Sequence, residues 1–77
     1  MMGQNVKKEL GQIIKSKRIK KKFTQNKVAC SINMSRNYLS DIENGRYMPS
    51  VETLAKIAKT LDIDLNFLVK NDGNTSI

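Results

Sequence analysis

Four hydrogen-bonding side chains, Arg36, Asn37, Ser40 and Asp41, stand close together in the run SRNYLSDIENG (Ser35 to Gly45). Their chemistry matches the edges of base pairs. A guanidinium can fork onto guanine O6 and N7, a carboxamide can pair with adenine N6 and N7, and a carboxylate can accept from cytosine N4, each for about 1–3 kcal/mol of discrimination. The same side chains also suit an ordinary solvated helix face. The elements that hold them decide between the two.

Leu39 and Ile42, at i and i+3, put an apolar stripe opposite the polar set, so the spacing predicts a short amphipathic helix. Ser35 caps it, residues 36–44 form it, and Gly45 supplies a left-handed stop. Upstream, Val28, Ala29 and Ile32 fall at i, i+1 and i+4. They predict a helix over residues 25–31, with Thr24 as its N-cap and Phe23 as an apolar plug before it. Asn33 lies between the two helices, and asparagine enters the left-handed region more easily than most residues. Ala29 offers the close-approach point that two steeply crossing helices need, and Met34 completes the apolar corner. Thr24 to Gly45 therefore has the geometry of a helix-turn-helix, which presents the N-terminal end of its second helix to a DNA groove.

Other polar residues flank that end. Gln25 begins the first helix of the corner, where a free backbone N–H and a side-chain amide can address one phosphate oxygen. Asn44 and Arg46 are the matching candidates across the groove, with helix capping the alternative for Asn44. Tyr38 can touch a phosphate or pack at the helix edge.

The rest of the chain reads as helix. Val6, Leu10, Ile13 and Ile14 form an apolar stripe over residues 5–21, and Lys17 can lay its stem on the core while its ammonium stays wet. Ser50 caps another helix, with Val51, Leu54, Ile57, Ala58 and Leu61 on one face and Glu52 complementing the dipole. Asp64 can cap a last short helix over 65–70, whose Leu65, Leu68 and Val69 close the core or face a partner. Residues 71–77 read as a disordered tail. Nothing reads as strand, and the pattern predicts an all-α domain over residues 5–70, with the helix-turn-helix at about 25–44.

Composition supports one small binding domain. At 77 residues the chain has room for a single core, and such a chain buries only about 60% of its unfolded surface. The absence of His and a single Cys argue against metal sets, histidine triads and an internal disulfide, so neither an enzyme nor a cofactor is expected. Cys30 reads as a helix-surface or half-buried filler, with redox sensing the alternative. The net charge is +7, with 14 Lys and Arg against 7 acidic residues. Within the first 37 residues, Lys7, Lys8, Lys15, Lys17, Arg18, Lys20, Lys21, Lys22, Lys27 and Arg36 face Glu9 alone. That asymmetry marks a polyanion-facing side, although Lys20 to Lys22 can instead be a solvated helix end. No apolar run approaches a membrane span, and MMGQNVKK has no apolar signal core, so a cytoplasmic protein is expected. No small-molecule ligand is evident.

The ordered series LGQII, Arg18, FTQ, VA, SRNYLSDIENG, PSVETL, KIAKTL and DLNFL, from Leu10 to Leu68, resembles the phage repressor and Cro-like (Xre-type) helix-turn-helix regulators. The resemblance implies a compact five-helix domain, its third helix in the major groove, acting as a sequence-specific transcription regulator and repressor on duplex DNA. It places Arg36, Asn37 and Asp41 at the positions that most often contact bases, and has Gln25 both touch a phosphate and brace the third helix. It pairs Arg18 with Glu43 as a structural tie, DNA contact by Arg18 being the second role. It also implies homodimerisation through Leu65, Phe67, Leu68 and Val69 on a palindromic operator, although these residues can all be monomer core. Lys17 replaces a usual aliphatic residue, while Lys22 and Asp62 replace usual glycines at helix ends. A protein-interaction module, such as an antitoxin subunit binding a partner protein, is the alternative. Its exposed apolar candidates are Ile19, Tyr47, Met48 and Phe67. Membrane-surface attachment through the basic first helix is not expected, because its apolar stripe is already required by the core.

Overall fold

Three hydroxyl oxygens start three of the helices. Thr24 accepts from the Lys27 N–H at 3.0 Å, Ser35 from the Tyr38 N–H at 3.0 Å, and Ser50 from the Thr53 N–H at 3.2 Å. Each caps a backbone donor that has no partner inside its helix. The computed structural model describes residues 6–64. These form α1 (Val6–Lys20), α2 (Gln25–Ser31), α3 (Arg36–Glu43) and α4 (Val51–Leu61). The all-α class expected from the sequence is the class observed, with four helices among the described residues. The fifth helix expected over 65–70, its Leu65, Phe67, Leu68 and Val69, and the tail over 71–77 lie outside the described residues.

The four helices also end alike. Lys22, Asn33, Gly45 and Asp62 follow them with positive φ of 62°, 62°, 79° and 60°. In each case the next backbone N–H reaches the carbonyl five residues back: Phe23 to Arg18, Met34 to Ala29, Arg46 to Asp41 and Ile63 to Ala58, at 2.9–3.0 Å. This is the Schellman stop, which satisfies carbonyls that the helix itself leaves open. Asn44, expected inside the third helix, is instead its cap, at φ −88°.

Leu10, Ile14, Val28, Leu39, Ile42, Ile57 and Leu61 are fully buried and form the centre of the core. Ala29, Leu54, Ala58 and Ile63 join them, and Ile13, Phe23, Ile32, Met34 and Tyr38 pack around the edge. The packed pairs are α1 with α3, α2 with α3, α1 with α4 and α2 with α4. Val51 departs from the expected inner face: it is 85% exposed. It is the first residue of α4, and a helical side chain leans towards the N-terminus, so its branch overhangs the end of the helix instead of the core. Among the described residues, no helix is long and apolar enough to cross a membrane.

Candidate nucleic-acid interface

The amphipathic pattern of α3 is visible in its burial. Leu39 and Ile42 are fully buried, whereas Arg36 and Asn37 are exposed at its N-terminal end and Ser40 and Asp41 are half-buried beside them. The four polar residues read from the sequence thus share the outer side of one helix.

What holds that helix is a charged knot at its other end. Glu43 is only 5% exposed. One of its carboxylate oxygens accepts from Arg18 Nε at 2.7 Å, and the other accepts from Arg18 Nη2 at 3.1 Å and from Gln25 Nε2 at 3.0 Å. The fork is the bidentate geometry that makes arginine–carboxylate pairs strong. Arg18 Nη1 donates to the Phe23 carbonyl at 2.9 Å, so one guanidinium ties α1, the α1–α2 turn and α3. With its side chain 11% exposed, Arg18 is oriented entirely by protein groups. Gln25 spends one amide hydrogen on Glu43 and keeps its second one.

Two glycines complete the support, and of these sequence reasoning did not single out Gly11. A Cβ on Gly11 would lie 2.5 Å from the carbonyl oxygens of both Ile42 and Glu43, so α1 crosses the end of α3 in backbone contact. The available signal was a glycine inside a helical pattern, where it weakens the helix by about 1 kcal/mol and therefore invites a packing reason. Gly45 is likewise covered, by the stem of Lys8.

The remaining candidates divide. Asn44 is exposed at the end of α3. Tyr38 is half-buried against the core, with its ring centroid 6.1 Å from that of Tyr47. Arg46 bonds to Asp41, Nη1 to Oδ1 at 3.1 Å, which joins a base-reading candidate to a phosphate-contact candidate. Of the lysines, Lys27 stands 5.2 Å from the centre of the Phe23 ring. Lys17, Lys20 and Lys21 line a shallow hollow with Leu61 and Asp62 at the end of α4, so part of the basic run of α1 faces an acidic residue of its own fold. Cys30 is exposed, and among the described residues no group of His, Cys, Asp or Glu has the make-up of a metal site.

A helix-turn-helix family model matches residues 14–68. Over 61 residues, 79% of this chain and 68% of the relative, the sequence is 54% identical to the ImmF control region 10 kDa protein of Bacillus phage phi105. Over 60 residues, 78% of this chain and 42% of the relative, it is 45% identical to the immunity repressor protein of the same phage. The chain belongs to the phage repressor and Cro-like (Xre-type) helix-turn-helix family. A bacterial relative is the HTH-type transcriptional regulator SlrR of Bacillus subtilis, 38% identical over 77% of this chain and 40% of the relative. The chain therefore spans less than half of two of these relatives. No solved structure matches it. This helix-turn-helix chain is a DNA-binding transcription regulator of a family that is not enzymatic.

Proposed function

We propose that the protein is a sequence-specific repressor that reads the major groove with α3 and acts as a homodimer on a palindromic operator. The observation that carries this reading is the state of α3: its buried end is locked by Arg18, Gln25 and Gly11, while Arg36 and Asn37 stand exposed at its N-terminus. A rigid helix with free polar side chains at that end suits groove insertion. Arg36, Asn37 and Asp41 read bases, with Ser40 beside them. Gln25, Asn44 and Tyr38 meet phosphates on either side of the groove. Repression is supported by the likeness to a phage immunity repressor.

Selection from a pool of random duplexes tests the reading. The protein is expected to enrich one defined site with two-fold symmetry and to bind it at least about a thousandfold more tightly than a scrambled duplex. Arg36→Ala should relax selection at one base pair of each half-site. Enrichment of no site would refute sequence-specific reading. Equal weakening on all duplexes would make Arg36 a phosphate contact instead.

A further inference from the structure

We propose that Arg46 is a positioning residue for base reading: it holds Asp41 for the base edge and so sets specificity at the base pair that Asp41 reads, instead of serving as a sequence-blind phosphate contact. The inference rests on α3 being the reading helix.

The helix stops carry it. In the Schellman arrangement the residue after the left-handed one folds back over the residue five positions earlier, and the two side chains meet. After α1, α2 and α4 the residue in that place is apolar and packs on the core: Phe23, Met34 and Ile63. After α3 it is Arg46, folded back by Gly45 onto Asp41. The same two residues are bonded twice, backbone N–H to carbonyl at 2.9 Å and Nη1 to Oδ1 at 3.1 Å. An ordinary exposed ion pair must order two long side chains and gains little. Here the helix stop has already placed the arginine backbone, so holding Asp41 freezes less freedom.

Asp41 needs such a partner more than its neighbours do. DNA carries one negative charge about every 1.7 Å along its axis, and an unpaired carboxylate entering the groove is repelled by both strands. Bonded to Arg46, the pair enters without net charge. Oδ1 is engaged by Arg46, which leaves Oδ2 as the acceptor for an exocyclic amine of cytosine or adenine. Arg46 is the more exposed member, its side chain 67% accessible against 28% for Asp41, so it shields the carboxylate from the solvent side.

The test uses the full chain, the site it selects, all single-base-pair variants of that site, and a scrambled duplex, each titrated over a salt series. Arg46→Ala is expected to lose about tenfold of its discrimination at one base pair, the same one affected by Asp41→Ala. In the Asp41→Ala background Arg46→Ala should remove no further discrimination, whereas with Asp41 in place Arg46→Lys should retain part of it. In the Asp41→Ala background, where no carboxylate is left to be repelled, Arg46→Ala should change affinity for the scrambled duplex by no more than about twofold, with the salt slope retained. Backbone bonds close the helix stop, so the variant should keep the wild-type thermal midpoint within a degree or two. Uniform weakening on every duplex in the Asp41→Ala background, with a salt slope lower by about one, would assign Arg46 to a phosphate and overturn the proposal. So would loss of discrimination at a base pair that Asp41→Ala leaves intact. A wild-type chain that enriches no site would instead remove the reading on which the proposal stands.

Discussion

Lys22, Asn33 and Asp62 hold a backbone conformation that glycine adopts with least strain. Asparagine and aspartate relieve part of the strain through short side chains that bond locally, whereas lysine has no such compensation. Lys22 stands at the end of α1, with Phe23 turned in behind it and Arg18 bonded to the Phe23 carbonyl. The left-handed penalty for an ordinary residue is about 1–2 kcal/mol, and glycine gives back about 0.4–1 kcal/mol through a freer unfolded chain. Lys22→Gly should therefore stabilise the domain by about 0.5–1 kcal/mol, a rise of roughly 2–8 °C in thermal midpoint for a domain of this size. Thermal melts followed by circular dichroism check it. An unchanged or lower midpoint would mean that the lysine side chain contributes an interaction of its own. The turn at Asn33 and the stop at Gly45 were legible in the sequence from residue type. Lys22 was legible only as a departure from the family, because lysine carries no turn chemistry that could announce the conformation.

At the scale of elements, α1 crosses the end of α3 in backbone contact. Gly11 meets the Ile42 and Glu43 carbonyls, and Arg18, two turns further along α1, grips the Glu43 carboxylate. Gly11→Ala sets helix propensity against this contact. It gains about 1 kcal/mol inside α1, but its Cβ must displace two backbone carbonyls, and overpacking of a rigid contact costs about 1–3 kcal/mol or more. The net expectation is destabilisation by about 1–2 kcal/mol, read in urea denaturation, together with weaker binding to the selected site because α3 shifts. Stabilisation would show that the helices separate easily and that Glu43 alone fixes the crossing. The starts of α2, α3 and α4 were readable from Thr24, Ser35 and Ser50, since an N-cap acts within its own turn. Val51, expected on the inner face, stands outside it. Helical period specifies a stripe, and only packing decides where along the stripe the cover stops.

For the whole molecule the distribution of charge matters more than its sum of +7. Glu43 is neutralised inside the fold by Arg18, so that buried pair does not bear on a ligand. The exposed Lys27 and Arg36 remain on the two helices of the corner. Binding to duplex DNA should weaken by at least about tenfold between 50 and 200 mM salt, because each neutralised phosphate releases counterions. Fluorescence anisotropy measures this, and a flat response would sink the phosphate-contact assignments. Homodimerisation through Leu65, Phe67, Leu68 and Val69 predicts a concentration-dependent rise in sedimentation coefficient near micromolar protein. It also predicts much tighter binding to two half-sites one helical turn apart than to one. A monomer at all concentrations, with equal affinity for one half-site and two, would refute the homodimer.

The sequence by itself determined the all-α class, the positions of α2 and α3, and the outward set Arg36, Asn37, Ser40 and Asp41. Caps, turn residues and apolar period act over a few residues and are therefore written locally. Only the tertiary structure decided that Gly11 is the contact point of α1 and α3, that Gln25 donates to Glu43, and that Arg46 folds back onto Asp41. Those facts depend on how helices cross and on the path a helix stop imposes. Residue types several positions apart cannot specify either until the chain has closed around its core.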